Sequence, residues 1–121
     1  MLGSFFAYLS TYSISVNKEE QEMKKVYFTV SGTNFHHGTS FAKEGMKVTL
    51  VKEPDNKFDC EAITVKMEGL DAIGHVANSC RTVTYGNYSA GRLYDKIEDY
   101  EPAVIEYVFC DKLVCSINIK E

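Results

Sequence analysis

Along residues 25–32 (KVYFTVSG) apolar and polar side chains alternate, with Val26, Phe28 and Val30 set against Tyr27, Thr29 and Ser31. A period of two sends successive side chains to opposite faces, so this stretch predicts a half-buried strand. Residues 46–52 (MKVTLVK) repeat the pattern with Met46, Val48 and Leu50 on one face, and residues 62–67 (AITVKM) return with Ile63, Val65 and Met67 inward. Between them lies Glu53-Pro54-Asp55-Asn56. Proline presets φ, and Asp and Asn accept turn geometry, so the two runs are expected to pair antiparallel across a long turn. Residues 73–76 (IGHV) predict a further short strand in which Gly74 permits close backbone approach or a bulge.

Beyond that strand the pattern weakens. Asn78 or Ser79 would cap a brief helix reaching Tyr85. Residues 86–91 (GNYSAG) are loop-like, and residues 92–100 suit either a short helix or irregular chain. Pro102 is expected to end whatever precedes it. Residues 103–110 (AVIEYVFC) and 113–119 (LVCSINI) then predict two strands joined by a two-residue turn at Asp111-Lys112. Five or six short strands, one or two short helices and no strand–crossover rhythm predict a mainly β fold, a small closed or nearly closed barrel.

Residues 1–22 read differently from the rest. Phe5, Phe6, Tyr8 and Leu9 form an apolar patch too short to span a bilayer, and no Lys or Arg precedes it as a signal peptide requires. After the charged run Lys18-Glu19-Glu20-Gln21-Glu22, Met23-Lys24-Lys25 looks like a bacterial start. Codons for Lys18-Glu19-Glu20 can spell a ribosome-binding sequence just upstream of it. Residues 1–22 are therefore expected to be a leader, disordered or outside the native product, ahead of a single domain over residues 23–121. The alternative is a short amphipathic helix docked on the barrel, and the intact mass of the native protein separates the two.

Composition narrows the function. Apolar residues are 45% and charged residues 25% of the 121-residue chain, which suits one globular domain. The net charge of −4 argues against a protein that binds nucleic acid mainly by broad phosphate neutralisation. Acid is concentrated late: from residue 95 onward seven acidic side chains face three lysines, whereas residues 24–71 carry seven of each sign. An anion site is thus expected away from the C-terminal third.

Cys60, Cys80, Cys110 and Cys115 are irregularly spaced, and no His or further Cys lies near Cys110 and Cys115 to complete a metal set. Ordinary buried thiols in a reducing, cytoplasmic setting are expected, with no metal, no cofactor and no membrane partner. His36-His37 invites a metal reading, but adjacent side chains on an extended loop point apart. The chain has no P-loop, no Gly-x-Ser-x-Gly and no HExxH, so catalysis is not expected.

Three blocks carry a family resemblance. The stretch Lys52-Glu53-Pro54-Asp55-Asn56-Lys57-Phe58-Asp59-Cys60-Glu61-Ala62-Ile63-Thr64-Val65 resembles the HIRAN signature of a charged pair, Pro, Asn, aromatic-Asp and Ala-Ile-x-Val. Upstream, Gly32-Thr33-Asn34-Phe35-His36-His37-Gly38 is similar to that family's Gly-x-x-aromatic-x-x-Gly loop; downstream, Ile73-Gly74-His75-Val76 resembles its Ile/Val-Gly-aromatic/His-hydrophobic strand. The resemblance implies a small OB-like or SH3-like β-barrel with one or two short helices, known both as a module of DNA-remodelling ATPases and as free-standing bacterial proteins. It implies a reader of single-stranded DNA 3′ ends without the ATPase motor, hence no hydrolase activity. The implied partner is single-stranded nucleic acid, with a DNA-processing enzyme as a protein partner.

By motif position, the resemblance makes Asp59 the acceptor for a terminal hydroxyl, Phe58 its neighbouring wall and Phe35 a stacking platform. Asn56, His75, and His36 beside Phe35, would add polar contacts. Asn34 and Asn78 stand where DNA-binding members carry Arg and Lys, and Phe58 lacks the usual tyrosine hydroxyl; these departures imply weak binding. Each residue also has a plainer reading. Asp59 would simply cap a turn, Phe35 and Phe58 would be core, His75 a solvated strand residue, and Lys24, Lys25, Lys43, Lys47, Lys52 and Lys57 solvated faces rather than a phosphate track. A domain that docks another protein through exposed strand edges is the alternative function.

Overall fold

A computed structural model describes residues 23–120 apart from Cys80, so the expectation for residues 1–22 lies outside the described residues. Six antiparallel strands form the fold: β1 (Met23–Ser31), β2 (Lys47–Lys52), β3 (Ile63–Met67), β4 (Asp71–Val76), β5 (Tyr100–Val108) and β6 (Leu113–Lys120). They close into a barrel in the order β1-β4-β3-β2-β5-β6. Among the described residues one short helix, α1 (Ala90–Tyr94), and one 3₁₀ turn, Thr33–Phe35, complete the fold. The mainly β barrel is the expected class.

The alternating positions do what their period demands. Phe28, Val30, Leu50, Val65, Ile73 and Ile105 fill the interior with essentially no exposure, while Met46 and Met67 only lean on that core from its margin. β2 and β3 pair antiparallel from Thr49↔Lys66 to Lys52↔Ile63, as the turn between them predicts. The seams are unequal. β1 and β6 share eight partner pairs, whereas β1 and β4 share two, Val30↔Val76 and Ser31↔His75. At that short seam a Cβ on Gly74 would lie 2.6 Å from the Ser31 carbonyl oxygen, and the β3–β4 register shifts from Val65↔Gly74 to Lys66↔Ala72, so this glycine sits both at a close approach and beside a bulge.

Four local expectations need correction. Pro102 does not end an element; it sits inside β5, opposite Thr49. β6 begins to pair with β5 only at Val104↔Ser116, so at Pro102 one side of β5 has no strand that needs an N–H. The helix expected from residue 78 or 79 to Tyr85 is only a turn, with Thr82 N and Val83 N donating to the Ser79 carbonyl. Buried Thr29 ends it by drawing Thr84 N onto its hydroxyl at 3.1 Å and Asn87 Nδ2 at 2.8 Å. The helix that does form starts earlier than residue 92, because Ser89 caps it by accepting from Arg92 N.

The β5–β6 connection spans residues 109–112, closed by Phe109 N donating to the Lys112 carbonyl at 2.9 Å, rather than two residues. Thr39 and Thr33 donate their hydroxyls to the carbonyls of Cys110 and Asp111, which pulls this turn out of the ladder. The thiols divide as well. Cys115 is buried in β6, but Cys60 and Cys110 lie in turns and are exposed, and Cys80 lies outside the described residues.

Candidate nucleic-acid interface

The loop from Glu53 to Ala62 is built by its own side chains. Glu53 N donates to the Ala62 carbonyl at 2.9 Å and closes the base. Asn56 Oδ1 accepts from Phe58 N at 2.9 Å and Asp59 N at 3.0 Å, a local turn that only a short polar side chain can make. Asp59 Oδ1 accepts from Glu61 N at 2.9 Å, so the plain turn-capping reading is correct for one oxygen. The second oxygen, Oδ2, faces Asn78 Nδ2 at 3.4 Å. Asn78 is fixed in turn by accepting from Gly91 N in α1 at 2.8 Å. The carboxylate is therefore held from two sides at the rim of the barrel.

Neither phenyl ring is core. Phe58 is 97% exposed and Phe35 89% exposed, which corrects the plainer reading of both. Phe35 belongs to the 3₁₀ turn, with Asn34 exposed before it and His36 exposed after it. The two adjacent imidazoles part company, as expected of neighbours: His37 Nε2 lies 2.9 Å from the Leu70 carbonyl, while the His36 ring lies 5.7 Å from that of His75.

His75 stands on β4 between Ser31 of β1 and Thr64 of β3. It is exposed overall, but one ring edge is tucked against the backbone, where a Cβ on Gly32 would lie 3.7 Å from Nδ1. That partial desolvation, with the nearby His36, pulls its pKa below the usual imidazole value, while Glu53 pushes it back up. The neutral form of His75 is thereby favoured.

Of the eight expected residues, Asp59, Asn56 and Asn78 form one hydrogen-bonded corner, and His36 and His75 form a ring pair that feels the charge of Glu53. Phe58 projects from the first. Asn34 and Phe35 line a cleft of about 270 Å³ together with Gly32, Arg81 and Lys112. Arg81 and Lys112 carried no signal in sequence, since one sits in the misread helix and the other in the misread hairpin. The lysines form no single track: Lys25 pairs with Glu106 at 2.9 Å, and Lys52 sits 4.4 Å from the Tyr94 ring centre. Among the described residues no group of three or more His, Cys, Asp or Glu side chains is placed to hold a metal, and no helix is long and apolar enough to cross a membrane.

A closed barrel with a fixed carboxylate and exposed rings on its rim defines a small binding module. Its family follows from comparison: the HIRAN domain matches residues 23–85, just over half of the 121-residue chain and all eight candidate residues, and the chain belongs to that family. HIRAN domains are nucleic-acid-binding modules. Among solved structures the chain is similar to the HIRAN domain of human HLTF, with TM-score 0.57, 16% identity and coverage of 78% of this chain and 74% of that one. At that identity the likeness is one of fold. Among curated proteins nothing matches.

Proposed function

We propose that this chain binds single-stranded DNA at its 3′ end. The observation that carries the reading is Asp59, whose carboxylate is held by Glu61 N and Asn78 beside the solvent-facing Phe58 ring. A terminal hydroxyl is a donor and a carboxylate accepts from it, whereas a terminal phosphate meets like charge. Phe58 and Phe35 stack on the unpaired bases, worth about 1–3 kcal/mol each. His75 and His36 donate to the adjoining phosphate, and Asn56 keeps the Asp59 loop in shape.

Fluorescence anisotropy with 3′-hydroxyl and 3′-phosphate oligonucleotides tests this. Like charges about 4 Å apart repel by about 1 kcal/mol even in bulk water, so the hydroxyl strand binds at least ~5-fold more tightly. Equal binding of the two strands removes end recognition. Asp59→Asn abolishes the discrimination against phosphate.

A second reading, docking of a protein such as a DNA-processing enzyme, draws on a different surface. Closure of the barrel removes the free strand edges that such docking was expected to use. Among the described residues, a mainly apolar cleft of about 410 Å³ lined by Tyr27, Thr84, Asn87, Tyr107, Phe109 and Val114 offers such a surface. Capture of one protein in stoichiometric amount after nuclease treatment, lost in Phe109→Ser, would favour it.

A further inference from the structure

Asn34 and Asn78 are uncharged, so these two positions supply no permanent cation beside Phe35 and Asp59. Beside Phe35, however, charge comes from elsewhere. The cleft that Phe35 helps to line is also lined by Arg81 and Lys112. The segments that carry them are anchored by buried threonines. Thr33 is fully buried and its hydroxyl donates to the Asp111 carbonyl at 2.9 Å, which fixes the turn bearing Lys112 against the turn bearing Phe35. Thr29, also fully buried, receives Thr84 N at 3.1 Å, which fixes the segment that follows Arg81.

Neither cation is neutralised by an ion pair among the described residues. Lys112 Nζ lies 5.5 Å from the Phe109 ring centre, so a base arriving there would find a ring next to a charge. Asp111 borders the same cleft; it is exposed, and its carbonyl rather than its carboxylate is engaged by Thr33. Two cations and one acid leave a net charge suited to one phosphodiester. Gly32 lines the cleft, and a Cβ on it would lie 3.7 Å from His75 Nδ1, so the cleft borders the His75 side of the candidate site.

We infer that this cleft is a phosphate subsite, in which Arg81 and Lys112 hold the backbone of a single strand as it leaves the Asp59 corner toward Phe109. The inference rests on the end-binding reading for its direction, but not for its chemistry. It places a cation in the acidic C-terminal third, where the charge count alone would not have sought one.

The test is the salt dependence of binding a fluorescein-labelled ten-nucleotide deoxythymidine strand, in 3′-hydroxyl and 3′-phosphate forms. Wild type, Arg81→Gln, Lys112→Gln and a control at exposed Lys43, Lys43→Gln, are compared, with circular dichroism confirming that each is folded. Each cleft substitution lowers the slope of log affinity against log salt by about 0.7 and weakens binding about tenfold at low salt. Lys43→Gln leaves the slope unchanged, and the preference for the 3′-hydroxyl survives in all variants. Slopes in Arg81→Gln and Lys112→Gln equal to wild type would overturn the subsite. Loss of slope in these variants without any hydroxyl preference in wild type would support the subsite and remove end recognition. A wild type that binds neither strand at low salt would overturn both.

Discussion

Replacing Gly74 with alanine adds one methyl group where two strands touch. The new carbon would lie 2.6 Å from the Ser31 carbonyl oxygen and 2.7 Å from Val30 Cγ1. Non-bonded carbons settle about 3.5–4.0 Å apart, so the strands must part by roughly an ångström. Val30 is fully buried and has no open side to rotate into, and the Ser31 oxygen is backbone. The displacement therefore falls on the β1–β4 seam, which has only two partner pairs. Overpacking costs about 1–3 kcal/mol and each weakened ladder bond about 0.5–1.5 kcal/mol. Against this, alanine restricts the unfolded chain and returns about 0.4–1 kcal/mol. A net loss of roughly 2–3 kcal/mol lowers Tm by roughly 10–20 °C in a domain of about 100 residues.

Thermal and urea unfolding followed by far-UV circular dichroism measure this directly. The m-value should hold, since the surface exposed on unfolding is the same. Gly45→Ala serves as the contrast. Gly45 has φ 90° but nothing within reach of a new Cβ, so its cost is backbone strain alone, about 1–2 kcal/mol. A Gly74→Ala protein that melts within 2 °C of wild type would refute the steric reasoning. One that melts no lower than Gly45→Ala would show that the seam yields easily.

Three further outcomes follow from the site. His75 has a pKa lowered in the fold, so the unfolded chain takes up its proton first; stability is complete above about pH 6.5 and is lost as pH falls through the folded value. His75→Asn should flatten the pH dependence of urea midpoints below pH 6.5, and an unchanged slope would count against the desolvation described. Asn56→Ala leaves Phe58 N and Asp59 N without their acceptor. Because the loop is exposed the stability loss stays at about 0.5–1 kcal/mol, while 3′-hydroxyl binding falls severalfold by anisotropy. Cys60 and Cys110 are exposed, whereas burial pushes the Cys115 thiol up to about 12. Under native conditions Ellman's reagent should modify the first two and reach Cys115 only on unfolding, as peptide mapping would reveal.

Strands such as β2 were legible because Val48 and Leu50 are dry between exposed Lys47 and Thr49, an asymmetry written in a period of two, whereas β6 is buried on both faces from Leu113 to Ile117 and shows only as an apolar run. Val26, Phe28 and Val30 alternate in sequence because they alternate in the barrel wall. The misread segments share one cause. Thr29, Thr33 and Thr39 reach across 55 to 78 positions of chain to take or give hydrogen bonds at residues 84, 87, 110 and 111. No local propensity carries that information. Pro102 was misjudged for a related reason, since its tolerance depends on where β6 stops pairing. At the site, the Asp59 turn was visible in the residue types of its own loop. The partnership of Asp59 with Asn78, nineteen positions away, and the cleft shared by Phe35, Arg81 and Lys112 exist only after closure of the ring.

A hoop is only as strong as its weakest joint, and here that joint is the short contact of Ser31 and Val30 with His75 and Val76. When the barrel breathes, amide exchange should begin along this line and travel outward from it. The candidate site straddles the same line, with Gly32 on one bank and His75 on the other. Whatever settles across it acts as a clasp, and occupancy would be read as slowed exchange at residues that never touch the ligand.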